Sequence, residues 1–299
     1  VERRNRFHAY VTIAEGCSHA CAYCIVPRVR GPLRSRPVAE VLAELQDLAQ
    51  AGYPEAMLLG QNVDAYGRDL GDGTDFATLL RAVAGIPLPR IRFTSSHPAY
   101  MTDAVISVLA DGGNLCPHVH LAVQSGSDRV LAAMGRGYTR DEFSNRIRRL
   151  REAIPQVNVT TDVIVGFPRE TEEDFALTLS LIEEAGFGTV YVAMYSPRPG
   201  TRAAQMLDDV PPQEKARRLA AVLATSRRIA LDLHRARIGT VVEVLVEAFL
   251  PEKGRLVGKT RDFRTVLLPG DPAMIGRFAM VTIEGATAGA LHGQVEEGE

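Results

Sequence analysis

Short apolar runs rich in β-branched residues recur along the first two thirds of the chain, and each gives way to helical spacing. Residues 8–13, 55–60, 90–94, 118–122, 158–165 and 189–194 are predicted as strands. Between them, 37–51 sets Val41, Leu42, Leu45 and Leu48 on one helical face, and 171–185 opens with Glu172, Glu173 and Asp174 at the positive end of the helix dipole. Strand and helix alternating in this way predict an α/β fold with a parallel sheet. Six such units are too few for a closed eightfold barrel and fit a partial (β/α)6 barrel, whose ligand site would lie at the C-terminal ends of the strands.

After Pro211-Pro212 the pattern changes to one long helix, 213–237, with Leu219, Val222, Leu223, Ile229 and Leu233 apolar and Arg or Lys elsewhere. From Thr240 the chain is strand-rich with Gly or Pro between segments, which predicts a small five-stranded all-β barrel. Two domains are therefore expected, 1–236 including the connecting helix and 237–299. A length of 299 residues with 46% hydrophobic content gives each of them a core. No apolar run approaches the roughly 20 residues that span a bilayer, and the charged start is unlike a signal peptide, so a cytoplasmic protein without a membrane partner is expected. A net charge of −2 excludes a basic footprint over the whole surface, but the charge is unevenly spread. Residues 1–36 carry seven Arg against two Glu, and 213–237 carry seven Lys or Arg against two acids, whereas the last sixty residues are net acidic.

Three of the four cysteines fall within eight residues, which suits metal binding better than cross-linking. Cys17, Cys21 and Cys24 have the spacing C-x3-C-x2-C directly after the first strand. Three thiolates on one loop can each bind a different iron of a [4Fe–4S] cube and leave the fourth iron open. The amine and carboxylate of a methionine can chelate that iron, placing a sulfonium for one-electron reduction to a 5′-deoxyadenosyl radical. Zinc is the alternative, with Cys116 or His19 as a fourth ligand, although zinc sites usually pair two C-x2-C knuckles. A redox pair of Cys21 and Cys24 is another, with the third cysteine weighing against it. Cys116, alone near a strand start, is expected to be a buried structural thiol.

This loop, with Tyr23 in it, resembles the radical-SAM superfamily, and its continuation IVPRVRGPLRSRP resembles the methylthiotransferases within that superfamily. The resemblance covers nearly the whole chain and implies a [4Fe–4S] cluster and S-adenosyl-L-methionine (SAM) as cofactors. It implies that Tyr23 and Ile25 lie beside the adenine, that Gly60, Gln61 and Asn62 meet the methionine end, and that Gln124 and Ser125 lie near the ribose. Val165 and Gly166 would pack near the adenine, and Ser95 and His97, polar at the end of the third strand, would contact cofactor or substrate. Arg136 is a candidate for a carboxylate, and Ser196, Arg198 and Gly200 resemble the family's closing motif at the barrel rim. Structural roles stand beside these: Tyr23 as a core aromatic, His97 as a strand-end cap, Arg136 as a solvated helix end and Ser127 as an N-cap.

Substrate choice rests on finer resemblance. The stretches GQNV and SSHP resemble the tRNA-modifying branch, which methylthiolates C2 of N6-isopentenyladenosine beside the anticodon; Asp64 departs from the Asn more often found there. The C-terminal region resembles the TRAM RNA-binding module. The implied partners are a tRNA anticodon stem-loop, whose splayed bases are accessible, and an electron donor, with the protein acting as a monomer. Phosphate attraction is assigned to Arg217, Arg218, Arg227 and Arg228 on the long helix, and to Arg28, Arg30, Arg34 and Arg36 near the cluster loop. Two other readings are an enzyme that methylthiolates an aspartate of a ribosomal protein and a non-catalytic RNA-binding module with a structural metal. Full-length family members carry a further N-terminal domain with three more cysteines tied to sulfur delivery. This chain is therefore expected to be a fragment that cleaves SAM without completing the reaction.

Overall fold

A computed structural model describes residues 7–296; residues 1–6, with three of the arginines counted above, and 297–299 lie outside the described residues. Six parallel strands form the first unit: β1 (His8–Thr12), β2 (Glu55–Leu59), β3 (Arg90–Phe93), β4 (His118–His120), β5 (Asn158–Val165) and β6 (Thr189–Met194). β1 pairs with β2 and β2 with β3, while β4 pairs with β5 and β5 with β6, all in parallel. Two isolated parallel bridges, Ile91 to Leu115 and Ser96 to Leu121, join the halves. Among the described residues no pairing joins β1 to β6, so the wall is open along one seam. This is a partial (β/α)6 barrel.

β1 to β4 run one or two residues shorter than their apolar runs, because the ends bend into site loops while keeping single hydrogen bonds such as Ile13 N–H to Leu59 O, whereas β5 and β6 fill theirs. Helices α1 (Val38–Gln50), α2 (Phe76–Ala84), α3 (Asp103–Ala110), α4 (Asp128–Met134), α5 (Arg140–Ala153) and α6 (Glu172–Ala185) cover the outside. Local chemistry fixes their starts. Thr171 accepts from Asp174 N–H while the Asp174 side chain accepts from Thr171 N–H, a capping box that satisfies two orphan donors at the start of α6. Ser127 caps α4 as its position suggests, and Gly135 ends that helix in the left-handed region at φ 71°. Val11, Leu58, Ile91, Phe93, Leu121, Val163 and Val165 point outward into the layer between strands and helices, all essentially excluded from solvent.

α7 (Pro212–Arg235) packs along β6 and α6 and leads into the second unit, a closed antiparallel and parallel barrel. Its strands are β7 (Val241–Leu250), β8 (Arg255–Thr260), β9 (Thr265–Leu268), β10 (Phe278–Ala286) and β11 (Leu291–Val295), in the closed order β8-β9-β11-β10-β7. Val244, Val246, Leu256, Val266, Val281, Ile283 and Leu291 alternate inward to make its core. This small barrel sits on the N-terminal mouth of the partial barrel. Arg90 and Arg92, the first and third residues of β3, are fully buried and reach into it. Arg90 donates to Lys259 O (2.8 Å) and to the Glu243 carboxylate (2.7 Å), and Arg92 to Thr260 O (2.8 Å). Glu55 at the start of β2 accepts from Arg92 Nε at 2.8 Å, and the Phe263 ring, at the tip of the β8–β9 turn, lies 4.8 Å from the His118 ring. The strand-rich domain is thus fixed at the end of the barrel opposite the cysteine loop.

Candidate active site

The loops after β1 to β4, joined by the side chain of Asp162 on β5, converge on a cavity of about 190 Å3 at the C-terminal ends of the strands. Cys17, Cys21 and Cys24 line one wall with Tyr23; Gln61, Asn62, Ser95, His97 and Gln124 line the others. A second cavity of about 280 Å3 adjoins it through Cys17, His19 and Asn62 and is bounded by Arg68 and Tyr100. The cysteine loop is braced from below. Gly16 N–H donates to Gln61 Oε1, and a Cβ at Gly16 would fall 2.1 Å from Pro32 O, so only glycine lets the loop fold back there. Ser95 (φ 66°) and Gln124 (φ 73°) hold positive φ without being glycine, a strained geometry found where a site over-determines the backbone.

All three thiols are free and partly accessible. Burial raises the pKa values of Cys17 and Cys24, so both thiols stay protonated until something displaces the proton. Arg136 supplies the opposing charge. It is 4% exposed and donates from Nη2 to Ala122 O (2.7 Å), from Nε to Tyr138 Oη (3.0 Å) and from Nη1 to Cys21 Sγ (3.3 Å). Burial works against this cation, but Tyr138, Tyr23 and Cys21 around it outweigh burial and hold its pKa above the ordinary arginine value. Arg136 is thus neither solvated nor a simple helix end.

Several buried polar atoms along these walls have no partner among the described residues: Asn62 Oδ1, Ser96 Oγ, His97 Nε2 and His19 Nε2. Unsatisfied groups of this kind are costly unless a ligand or water meets them. His97 Nδ1 accepts from Ala99 N–H at 3.2 Å, which leaves the proton on Nε2 as a donor. Burial, with the Arg136 charge, lowers its pKa to about 2, so the ring is neutral across the physiological range. Among the described residues no three His, Cys, Asp or Glu side chains close on a single point fit for one metal ion. Three thiols spread around a cavity suit a polynuclear cluster, with donors of both kinds left for a zwitterionic ligand.

The structure separates the candidate residues into two sets. Tyr23, Gln61, Asn62, Ser95, His97 and Gln124 line the cavity with the cysteines, while Ile25, Gly60, Ser125, Val165 and Gly166 do not. Val165 is fully buried in the outer layer, and Ser125 is hydrogen-bonded to Ser127 N–H and packed on Thr178. Gly166 (φ 68°) faces Lys215, whose Cγ would lie 2.3 Å from an added Cβ, and its N–H donates to Glu170 Oε2. Its glycine requirement therefore comes from packing against α7. Asp162 was missed, though it is an acid inside an apolar strand. It faces the cavity and accepts from His120 Nε2 at 3.0 Å. Cys116 is buried, 3% exposed.

Asp64 is fully enclosed and takes His97 N–H on its carboxyl at 2.9 Å. Burial raises its pKa to about 8, against the weaker pull of that N–H, so at neutral pH it is an uncharged acid of asparagine's size. The unfolded state ionises near pH 4, so what Asp64 contributes to stability falls as pH rises from about 4 to about 8. Asp64→Asn removes that titration. Its stability advantage in urea unfolding should grow across this range and level off above it; an advantage independent of pH would contradict the assignment.

The long helix requires a correction. Arg218 is 4% exposed and donates to Glu170 Oε2 (2.8 Å) and Glu214 Oε1 (2.7 Å), Arg217 is shared by Glu172 and Glu214, and Arg228 pairs with Glu183. α7 lies along the acidic face of α6, so carboxylates distant in sequence neutralise the stripe; only Arg227 of the four has no ion pair among the described residues. Near the cysteine loop, Arg36 is held by Glu44 (2.6 Å) and Arg34 by Glu15, whereas Arg28 and Arg30 are exposed without an ion pair among the described residues.

A parallel partial barrel with a three-cysteine loop after its first strand defines the class, and the family comparison agrees: the chain belongs to the Radical SAM superfamily, whose model matches residues 11–182. The TRAM domain model matches residues 235–295. Among named relatives, tRNA-2-methylthio-N(6)-dimethylallyladenosine synthase of Acetivibrio thermocellus is 43% identical over 297 residues, covering 99% of this chain and 62% of that protein. The protein of the same name from Thermus thermophilus is 45% identical over 287 residues, covering 96% of this chain and 62% of its own length. The chain thus spans about three fifths of these relatives. Among solved structures, the radical S-adenosylmethionine methyltransferase TsrM of Kitasatospora setae superposes with a TM-score of 0.56 at 18% identity, over 67% of this chain and 38% of that one. Coproporphyrinogen III oxidase of Escherichia coli gives 0.53 at 16% identity, over 93% of this chain and 67% of that one. At such identities these two likenesses speak for the fold alone.

Proposed function

We propose that this chain is the SAM-cleaving and RNA-binding portion of a tRNA methylthiotransferase acting at C2 of N6-isopentenyladenosine beside the anticodon. The observation that carries the reading is the cavity where Cys17, Cys21 and Cys24 meet a buried arginine and unpartnered donors and acceptors at the strand ends. Identity above 40% to synthases of that name supports the substrate over a ribosomal protein or a non-catalytic module.

The three thiolates are assigned to a [4Fe–4S] cluster, and SAM to the rest of the cavity. A cluster bound there supplies the electron that cleaves SAM. Around it the protein's own groups position and neutralise. Arg136 offsets thiolate charge at Cys21, Gln61 braces the loop at Gly16, His97 Nε2–H offers a donor and Asn62 Oδ1 an acceptor. Tyr23 presents its ring to the same cavity. Arg28 and Arg30, with Arg198 on the loop after β6, take over the phosphate attraction first assigned to α7. The boundary between the two units is placed between residues 236 and 237, and the protein is assigned to the cytoplasm as a monomer that receives electrons from a separate donor. Among the described residues no helix is long and apolar enough to cross a membrane.

Anaerobic titration with an anticodon stem-loop carrying isopentenyladenosine, with a duplex of equal charge and with ribosomal protein tests the substrate. Tightest binding to the stem-loop is expected. Arg28→Ala with Arg30→Ala should reduce its log–log salt slope by about 0.7–0.9 for each phosphate that the protein no longer neutralises. Preference for the ribosomal protein would move the enzyme to the protein-modifying branch.

A further inference from the structure

At the other end of the barrel, α7, the small barrel and the N-terminal mouth enclose a two-lobed cleft. The larger lobe, about 590 Å3, is lined by Arg151, Arg237 and Arg264, and the smaller, about 280 Å3, by Lys259 and again Arg264; Asn158 belongs to both. No carboxylate lines either lobe. Behind the wall, Asp262 accepts from Arg237 Nη2 and Arg264 Nε, each at 2.9 Å, and from the Thr260 hydroxyl, and the half-buried Glu247 acts on Lys259.

Two carboxylates thus answer four cations, Arg151, Arg237, Arg264 and Lys259, and the cleft keeps an excess of positive charge. Arg264 is 8% exposed, and its Nη1 is buried with no acceptor among the described residues. The Arg151 guanidinium meets only the carbonyls of Ala185 and Gly186 at the end of α6. Lys259 Nζ donates to the Thr265 hydroxyl at 2.8 Å, beside the Phe263 ring, and forms no ion pair within 4 Å among the described residues. His234 adds no charge, because burial lowers its pKa against the opposing pull of the Thr287 carbonyl, which accepts from Nδ1 at 2.7 Å. Guanidinium groups and an ammonium converging from three elements match an anion with several oxygens spread in space better than a planar carboxylate.

We infer that this junction cleft binds a phosphate group. It is separate from the cysteine cavity: the two share no lining residue, and Asn158 lies four residue steps, roughly 13 Å, before Asp162 on β5. The assignment stands on these residues alone and does not depend on the tRNA reading. The phosphate belongs either to an RNA backbone that also reaches the cysteine end or to a small free phosphate compound.

Thermal unfolding of the whole chain in increasing inorganic phosphate, against chloride at matched ionic strength, tests it. A saturable, phosphate-specific rise in Tm is expected in the wild type, with the apparent phosphate affinity at least tenfold weaker in Arg264→Gln. Arg151→Gln, from the barrel side of the cleft, should weaken it severalfold and carries the test if the first variant does not fold. A wild-type response no larger than that to chloride, or unchanged affinity in the variants that fold, overturns the site. Repeating the stem-loop titration with inorganic phosphate present at matched ionic strength identifies the source. Competition that Arg151→Gln abolishes assigns the site to RNA backbone, and RNA binding indifferent to both assigns it to a free phosphate compound.

Discussion

Glu55→Gln is expected to destabilise the protein by about 3–5 kcal/mol, the range for breaking one side of a buried ion pair. Glu55 is fully buried and holds Arg92 through a 2.8 Å hydrogen bond from Nε, with Arg90 Nη1 4.0 Å away and the His8 ring on its other oxygen at 3.0 Å. Glutamine keeps the size and removes the charge. Arg92 would then be left buried beside Arg90 with only backbone carbonyls to face, and those carbonyls, of Thr260 and Arg261, are the seat of the small barrel. Burial by itself would push the Glu55 carboxyl up, but the His8 and Arg92 interactions outweigh it and leave the pKa below the ordinary value. A carboxyl with a lowered folded pKa stabilises the fold above its unfolded pKa near 4.3, and the contribution fades as pH falls through the folded value. The gap between wild type and variant in urea unfolding should therefore be full at pH 7 and close below about pH 4. A gap under 1 kcal/mol at pH 7 would show that this network does not hold the two units together.

Much of the architecture is legible in the chain because its determinants are local. The β-branched runs that become β5 and β6, the Thr171 capping box and the Ser127 cap each lie within a few residues of what they fix. So does the spacing of Cys17, Cys21 and Cys24. Parity along a strand was harder to judge. Asp162 and Ile164 face the barrel interior while Val163 and Val165 face the helices, so a motif at a strand end names neighbours of opposite orientation. Past the end of β4, Gln124 reaches the cavity and Ser125 does not. Long-range pairing was not legible at all. The carbonyls that Arg90 and Arg92 seek lie 153 to 169 residues away, so nothing near RIRF reveals that its arginines anchor another domain. The same limit hid the neutralisation of α7, since Glu170, Glu172 and Glu183 reach its arginines across a helix interface.

Cys21→Ala is expected to remove the metal centre altogether. The loop offers three thiolates, and Cys21 is also the sulfur that Arg136 touches, at 3.3 Å. A cube held by two thiolates loses a ligand and a negative charge together, while the buried arginine keeps its own, so iron binding should fall from about four per chain to near zero. The fold should survive, because the three cysteines contribute nothing to the main core clusters. The most direct test of the whole account is anaerobic reconstitution of wild type and Cys21→Ala with iron and sulfide, followed by reduction in the presence of SAM and measurement of 5′-deoxyadenosine. The wild type is predicted to hold about four irons and to release 5′-deoxyadenosine, and the variant to do neither. One zinc per wild-type chain with no 5′-deoxyadenosine, or equal product from both proteins, would contradict the assignment of this cavity to SAM cleavage.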